Sequence, residues 1–202
     1  MENTMSEHEA SIANGLKSPG RVAKRAGLWS TIMASCAALL ILNGGTGPSY
    51  AMDIDRAAPV ISSDEILINA PIDIIWSVQT NISNWPQWRP TVPAAHWEGE
   101  LKVGSAFRWE EGGLKIVSTV REIVPERRIV WTGPAQGIDA VHAWTFTPTE
   151  HGVLVRTEES WNGEAVRGME PTLQPILDGA LKDWLMRLKA KSESVGGSHV
   201  AG

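Results

Sequence analysis

Hydrophobic and polar positions change their period along the chain, and each change marks an element. Asp64 to Ile68 is a short β-prone run that ends at Asn69-Ala70-Pro71. Pro71 suits the first turn of a helix and Asp73 the positive end of its dipole. Ile72, Ile75, Trp76 and Gln79 then follow helical spacing. Asn84-Trp85-Pro86-Gln87-Trp88-Arg89-Pro90 breaks that helix and leaves room for one brief further turn. From Val92 to Trp161 the period shifts toward two, punctuated by Gly99, Gly104, Gly112-Gly113, Pro125, Gly133-Pro134, Gly137 and Gly152. The pattern predicts six strands there, at 92–101, 106–110, 114–124, 128–133, 138–147 and 153–161, joined as an antiparallel meander.

The last element is a long helix. Leu173, Ile176, Leu177, Ala180, Leu181, Trp184, Leu185 and Leu188 form one apolar stripe, and Lys182, Asp183, Arg187, Lys189 and Lys191 take the other faces. The sheet is the one partner on which that stripe can be laid. Residues 52–195 therefore read as one α+β domain, and the polar stretch 196–202 reads as a disordered tail.

Residues 1–51 carry a different signal. Seventeen residues from Ala26 to Leu42 hold no charge, Lys17, Arg21, Lys24 and Arg25 precede them, and the small-residue stretch NGGTGPSYA follows. Ser49 and Ala51 stand at the −3 and −1 places of a cleavage site before Met52. This reads as a secretory signal, and the expectation is a periplasmic or secreted protein. Two alternatives stay open: a membrane tether through residues 26–42, since a span needs roughly 17–25 residues, and a cytoplasmic protein whose translation starts at Met52.

Composition narrows the function. The net charge is −5 and no cationic stripe runs along any segment, which argues against a nucleic-acid partner. One cysteine, Cys36, rules out a disulfide scaffold. Cleavage after Ala51 would leave 151 residues with no cysteine and nine of the ten tryptophans, against one Tyr and two Phe in the whole chain. There is no Gly-rich phosphate loop, G-x-S-x-G elbow or H-E-x-x-H motif. His96, His142 and His151 lack metal-ligand spacing. No metal and no cofactor is expected.

Several local signals resemble one superfamily. They are Ala70-Pro71 with Ile75-Trp76, the Trp85-Pro86-Gln87-Trp88 turn, and the Gly104 loop into Phe107-Arg108-Trp109. Pro125 through Trp131-Thr132-Gly133, and the hairpin from His142-Ala143-Trp144-Thr145-Phe146 to Thr157-Glu158-Glu159-Ser160-Trp161 with Gly163, complete the match. Over about residues 60–192 the chain resembles START-like proteins: the birch-pollen-allergen type, lipid-transfer domains and polyketide cyclase/dehydrase-like proteins. The resemblance implies a helix-grip fold, in which a curved seven-stranded antiparallel sheet wraps a long C-terminal helix and two short helices follow the first strand. It also implies a ligand cavity between sheet and helix. Carriers, receptors and several kinds of enzyme share this fold, so the resemblance leaves the activity open.

Alternation says which residues point into that space. Ala140, His142, Trp144 and Phe146 share one face, as do Val153, Val155, Thr157, Glu159 and Trp161; Thr145, Thr147, Arg156, Glu158 and Ser160 fall on the outer face. A loop at Thr149–Gly152 sets His142 opposite Glu159, within hydrogen-bonding reach. Such a pair can hold a proton and pass it to a substrate. It can equally be a half-buried histidine with a partner that keeps the strands in register. Trp109 and Trp131, alternating with Phe107 and Ile129, are placed inward, with Trp97, Trp144 and Trp161 as companions. These large flat side chains are ligand lining or core packing. Trp85 and Trp88 are placed at the cavity entrance, and Arg89 beside them greets an anionic ligand end or lies in solvent.

Two functions follow, beside a third class, a protein-interaction module, that only the membrane-tether alternative supports. One is a noncatalytic binder of a small hydrophobic molecule, with Trp88, Trp97, Phe107, Trp109, Trp131, Trp144 and Trp161 as its contacts. The other is a cofactor-independent cyclase, dehydratase or isomerase with His142 and Glu159 as the proton-transfer pair.

Overall fold

The computed structural model describes residues 52–97 and 99–200, the side chains of 198–200 excepted. The predicted leader within residues 1–51 lies outside the described residues. The described residues belong to one compact unit.

The elements run β1 (Val60–Ile68), α1 (Ile72–Thr80), a 3-10 turn (Ile82–Gln87), β2 (Ala94–Trp97), β3 (Ala106–Glu111), β4 (Leu114–Val124), β5 (Arg128–Thr132), β6 (Asp139–Thr149), β7 (Gly152–Asn162) and α2 (Glu170–Val200). All seven strands form one antiparallel sheet in the order β1-β7-β6-β5-β4-β3-β2. This is the α+β helix-grip arrangement: a meander with the first strand returned to its far edge, closed by α2. Leu177, Leu181, Trp184, Leu185 and Leu188 of α2 are buried. Ile176, expected in the same stripe, is 54% exposed, because the helix turns that position away from the sheet.

Boundaries shift where pairing or packing outweighs local pattern. β1 begins at Val60 rather than Asp64, since Val60↔Trp161 through Ile68↔Val153 pair without interruption. β2 is shorter than 92–101: the ring of Pro93 removes a ladder donor, and Gly99 turns the chain at φ +88. α2 runs through the first part of the expected disordered tail to Val200. Glu193 accepts the Asn69 N–H at 2.9 Å, and Gly196 lies against Ala70 and Pro71, so this end of the helix is docked on the β1–α1 corner.

The outer face of the sheet is not all solvent-facing. Glu158 and Ser160, expected outside, are buried beneath residues 52–58. Ile54 packs on Val130 and Ala143, the Asp55 N–H donates to Ser160 Oγ at 3.0 Å, and Arg56 pairs with Glu158 at 2.9 Å. The short strap is polar and irregular, so no periodicity announces it.

Gly152 closes the β6–β7 hairpin at φ +130, with its α-carbon against the carbonyl of Ile68 at the end of β1. A side chain there meets both backbone strain and that oxygen. Gly152→Ala is expected to cost about 2–3 kcal/mol in urea unfolding; an unchanged midpoint would show that β1 and the hairpin do not meet as described.

Candidate functional site

The β6–β7 register sets His142 directly against Glu159. Nδ1 of His142 lies 3.1 Å from Glu159 Oε2, and Nε2 lies 2.6 Å from Thr157 Oγ1. Glu159 Oε1 accepts the indole N–H of Trp161 at 2.8 Å. The imidazole is 2% exposed and surrounded by rings: Trp131 at 5.0 Å, Trp144 at 5.2 Å and Trp184 at 5.2 Å between centroids. Burial disfavours its charged form, and the cation of Arg89 adds to that, so His142 titrates well below 6.5. Burial also pushes Glu159 up to about 8, against the opposing pull of the Trp161 hydrogen bond. Both groups are therefore neutral at pH 7. Hydrogen-bond logic then has the Glu159 hydroxyl donating to Nδ1 and the Nε2–H donating to Thr157.

Four of the aromatic residues expected inside come together. Phe107, Trp109 and Trp131 surround Trp85 at 5.6–6.0 Å, and Trp144 lies 5.2 Å from Trp184. Trp85, expected at an entrance, is fully buried: its ring is 5.0 Å from Trp184 and its N–H donates to the Gln79 carbonyl at 2.9 Å. Trp88 and Trp97 are half-buried at the margin of this cluster. Trp161 stands apart, with Val60, Val166, Leu177 and Leu181 nearer the start of α2. Trp109 also lines a surface pocket of about 280 Å³ between β2, β3 and β4, together with Ala95, His96, Arg108, Lys115 and Ile116. The same ring lies 5.8 Å from Trp184, so it touches both that pocket and the interior aromatic cluster.

Arg89 is the residue that sequence reasoning undervalued. Its side chain is 0% exposed, with Nη2 2.6 Å from Glu111 Oε1 and Cζ 3.5 Å above the Trp184 ring. A desolvated contact of this kind is worth about 2 kcal/mol. Burial lowers its pKa to about 10, opposed by Glu111, so it stays cationic at neutral pH. Nε and Nη1 have no acceptor among the described residues, and neither do Gln79 Nε2 nor Trp144 Nε1. Each unpaired buried donor costs about 1–3 kcal/mol. Two of the three residues touch Trp184 beside Arg89's own stacking contact: Gln79 Oε1 accepts the Trp184 N–H at 3.1 Å, and Trp144 packs on its ring. The available sign was a cation framed by Trp88 and Pro90, but no periodicity orients a residue in a 3-10 turn and loop. Among the described residues no cluster of His, Cys, Asp and Glu is arranged to hold a metal.

A sheet gripping a C-terminal helix, with titratable groups buried between them, defines a START-like protein. Residues 59–193 match the family model described as polyketide cyclase / dehydrase and lipid transport, and the chain belongs to that family. A Streptomyces halstedii protein described as a candidate polyketide cyclase is 30% identical over 109 residues, covering 47% of this chain and 94% of that protein. A START superfamily protein from Mycobacterium smegmatis has a similar structure, with a TM-score of 0.59, 13% identity and coverage of 67% of this chain and 98% of that one. The di-domain ARO/CYC StfQ from the steffimycin biosynthetic pathway superposes with a TM-score of 0.60 at 18% identity, over 68% of this chain and 52% of that one. At these identities the structural likenesses speak for the fold alone.

The pair has a signature in pH. Glu159 is raised in the fold, so its stabilising contribution is complete below its usual 4.5 and is lost as pH rises toward 8. His142 is depressed, so its penalty appears only as pH falls below 6.5. Between about pH 6.5 and 8 the pair's pH dependence comes from Glu159 alone, and the fold should lose up to about 1.4 kcal/mol per unit from it. Gln can make both hydrogen bonds of the neutral acid, so Glu159→Gln should remove that slope with little loss of stability at pH 6. A parallel pH dependence in wild type and Glu159→Gln, followed by urea unfolding, would mean that Glu159 is an ordinary ionised carboxylate.

Proposed function

We propose that this chain binds a small hydrophobic molecule, lipid-like or aromatic, that carries an oxygen acceptor and lies between the sheet and α2. Membership of a cyclase, dehydrase and lipid-transport family supports the hydrophobic part. Arg89 carries the rest: a fully buried cation offers two N–H groups that the described protein leaves without an acceptor, inside an aromatic wall. A carbonyl, carboxylate, phenolate or enolate oxygen satisfies such donors, whereas a pure hydrocarbon does not. The rings of Trp109, Trp131, Trp144 and Phe107 supply flat apolar contact, and the pocket outside Trp109 is the entry side.

A second reading rests on the His142–Glu159 geometry. A neutral acid 3.1 Å from a neutral imidazole is a matched donor and acceptor. It suits a cyclase, dehydratase or isomerase that protonates one oxygen while withdrawing a proton elsewhere. Arg89 would then hold the developing oxyanion.

Binding is tested by tryptophan fluorescence with 2-naphthoate, 2-naphthol and naphthalene. The oxygenated probes are expected to bind more tightly, and Arg89→Met to weaken 2-naphthoate by about tenfold or more while leaving naphthalene unaffected. Equal affinity for all three probes, or no binding by any, overturns the reading. For any ligand that turns over, His142→Asn and Glu159→Gln should keep affinity and lower kcat by about 10²–10⁴ if the pair is catalytic. Unchanged kcat in either variant removes the second reading.

A further inference from the structure

On the outer face, away from the aromatic interior, a buried acid–base pair holds both ends of one residue. Met52 N–H donates to Glu122 Oε2 at 2.8 Å, and Arg128 Nη2 donates to the Met52 carbonyl at 2.8 Å. Glu122 is 6% exposed and Arg128 2%, and Arg128 Nε lies 3.6 Å from Glu122 Oε1. The fold departs from regular geometry to make this seat. Val120 faces the core opposite Trp131, and simple alternation would turn residue 122 the same way. A β-bulge between Val120 and Glu122 instead pairs Glu122 with Val130 and puts its carboxylate on the outer face.

We infer that Met52 is the N-terminus of the working protein and that Glu122 is the receptor for its α-ammonium. Hydrolysis of the Ala51–Met52 peptide bond produces it: a signal peptidase adds one water, leaving a carboxylate on Ala51 and an amine on Met52 that takes up a proton. Ser49 and Ala51 supply the small residues that cleavage requires, behind the basic and apolar stretches already described. Two independent features thus meet at one bond. The strap residues after it are part of the fold, since Asp55 Oδ2 accepts from Asn162 at 2.9 Å and Arg56 pairs with Asp53 and Glu158. Cleavage after Asp53 or later would strip some or all of these contacts.

The hydrogen bond itself points the same way. Glu122 Oε2 accepts from the Met52 nitrogen, and a charge-assisted bond from an ammonium to a carboxylate is about twice as strong as one from a neutral amide. The other charges at the strap, Asp53 and Glu158 with Arg56, Arg128 and Arg156, pair among themselves. The inference is independent of what the interior binds.

The first test expresses the full 202-residue chain in a secreting bacterial host and reads the N-terminus of the exported protein by intact mass. The expected product starts at Met52, and Ala51→Phe is expected to accumulate the uncut chain. A start at any other residue overturns the inference. A Met52 start that persists in Ala51→Phe also overturns it, because internal initiation would then be its source. The second test compares the Met52–Gly202 protein with the same protein extended by Gly-Ser ahead of Met52, each with Glu122 or with Glu122→Gln. Moving the ammonium away should lower Tm by roughly 3–8 °C when Glu122 is present and by much less in Glu122→Gln. An extension that leaves Tm unchanged, or lowers it equally in both backgrounds, overturns the seat.

Discussion

Burial of one indole, Trp184 of α2, ties the two layers of this protein together. Its ring receives Trp85 and Trp144 at 5.0–5.2 Å, His142 edge-on at 5.2 Å and the Arg89 guanidinium at 3.5 Å. Its N–H is taken by Gln79 of α1. The long helix is therefore held by apolar contact and by directed polar contacts at the same point. The charged and titratable groups of the interior stand around a ring, where water is excluded. Exclusion of water is what keeps His142 and Glu159 neutral and leaves Arg89 the dominant charge.

That arrangement links stability to chemistry. Buried donors without acceptors and a carboxyl held in its acid form cost folding free energy, and surrounding aromatic contacts offset it. Groups kept in this state are the ones that the proposed ligand oxygen or proton-transfer role would use. The opposite face of the same sheet shows the complementary case. There the bulge at Arg121 and the strap from Met52 gather Glu122, Arg128, Asp53, Arg56 and Glu158 into mutually paired charges.

Much of this was legible in the sequence wherever a strict period operates. The hairpin count that opposes residue 142 to residue 159 holds residue for residue, because pairing to Thr149↔Gly152 leaves no slippage. The apolar stripe of α2 orients Trp184 and its neighbours, with Ile176 the exception. What escaped lies outside periodic segments. Arg89 follows a 3-10 turn, and its burial depends on Glu111, 22 residues away, and on Trp184. Glu122 changes face at a bulge that no pattern of side chains marks. Glu158 and Ser160 are covered by a strap with a single fully buried large apolar residue, Ile54. Trp161 shares a strand face with Glu159 but points into a separate cluster, since a strand eleven residues long spans more than one packing neighbourhood.

The central claim is that the Arg89 guanidinium, stacked on Trp184, receives an oxygen of a hydrophobic ligand. The most direct measurement is a crystal structure of the Met52–Gly202 protein with 2-naphthoate bound. The account predicts a carboxylate oxygen within hydrogen-bond distance of Arg89 Nε or Nη1, with the ring against Trp109, Trp131 or Trp144. A probe seated elsewhere, with both guanidinium nitrogens still without an acceptor, would contradict it.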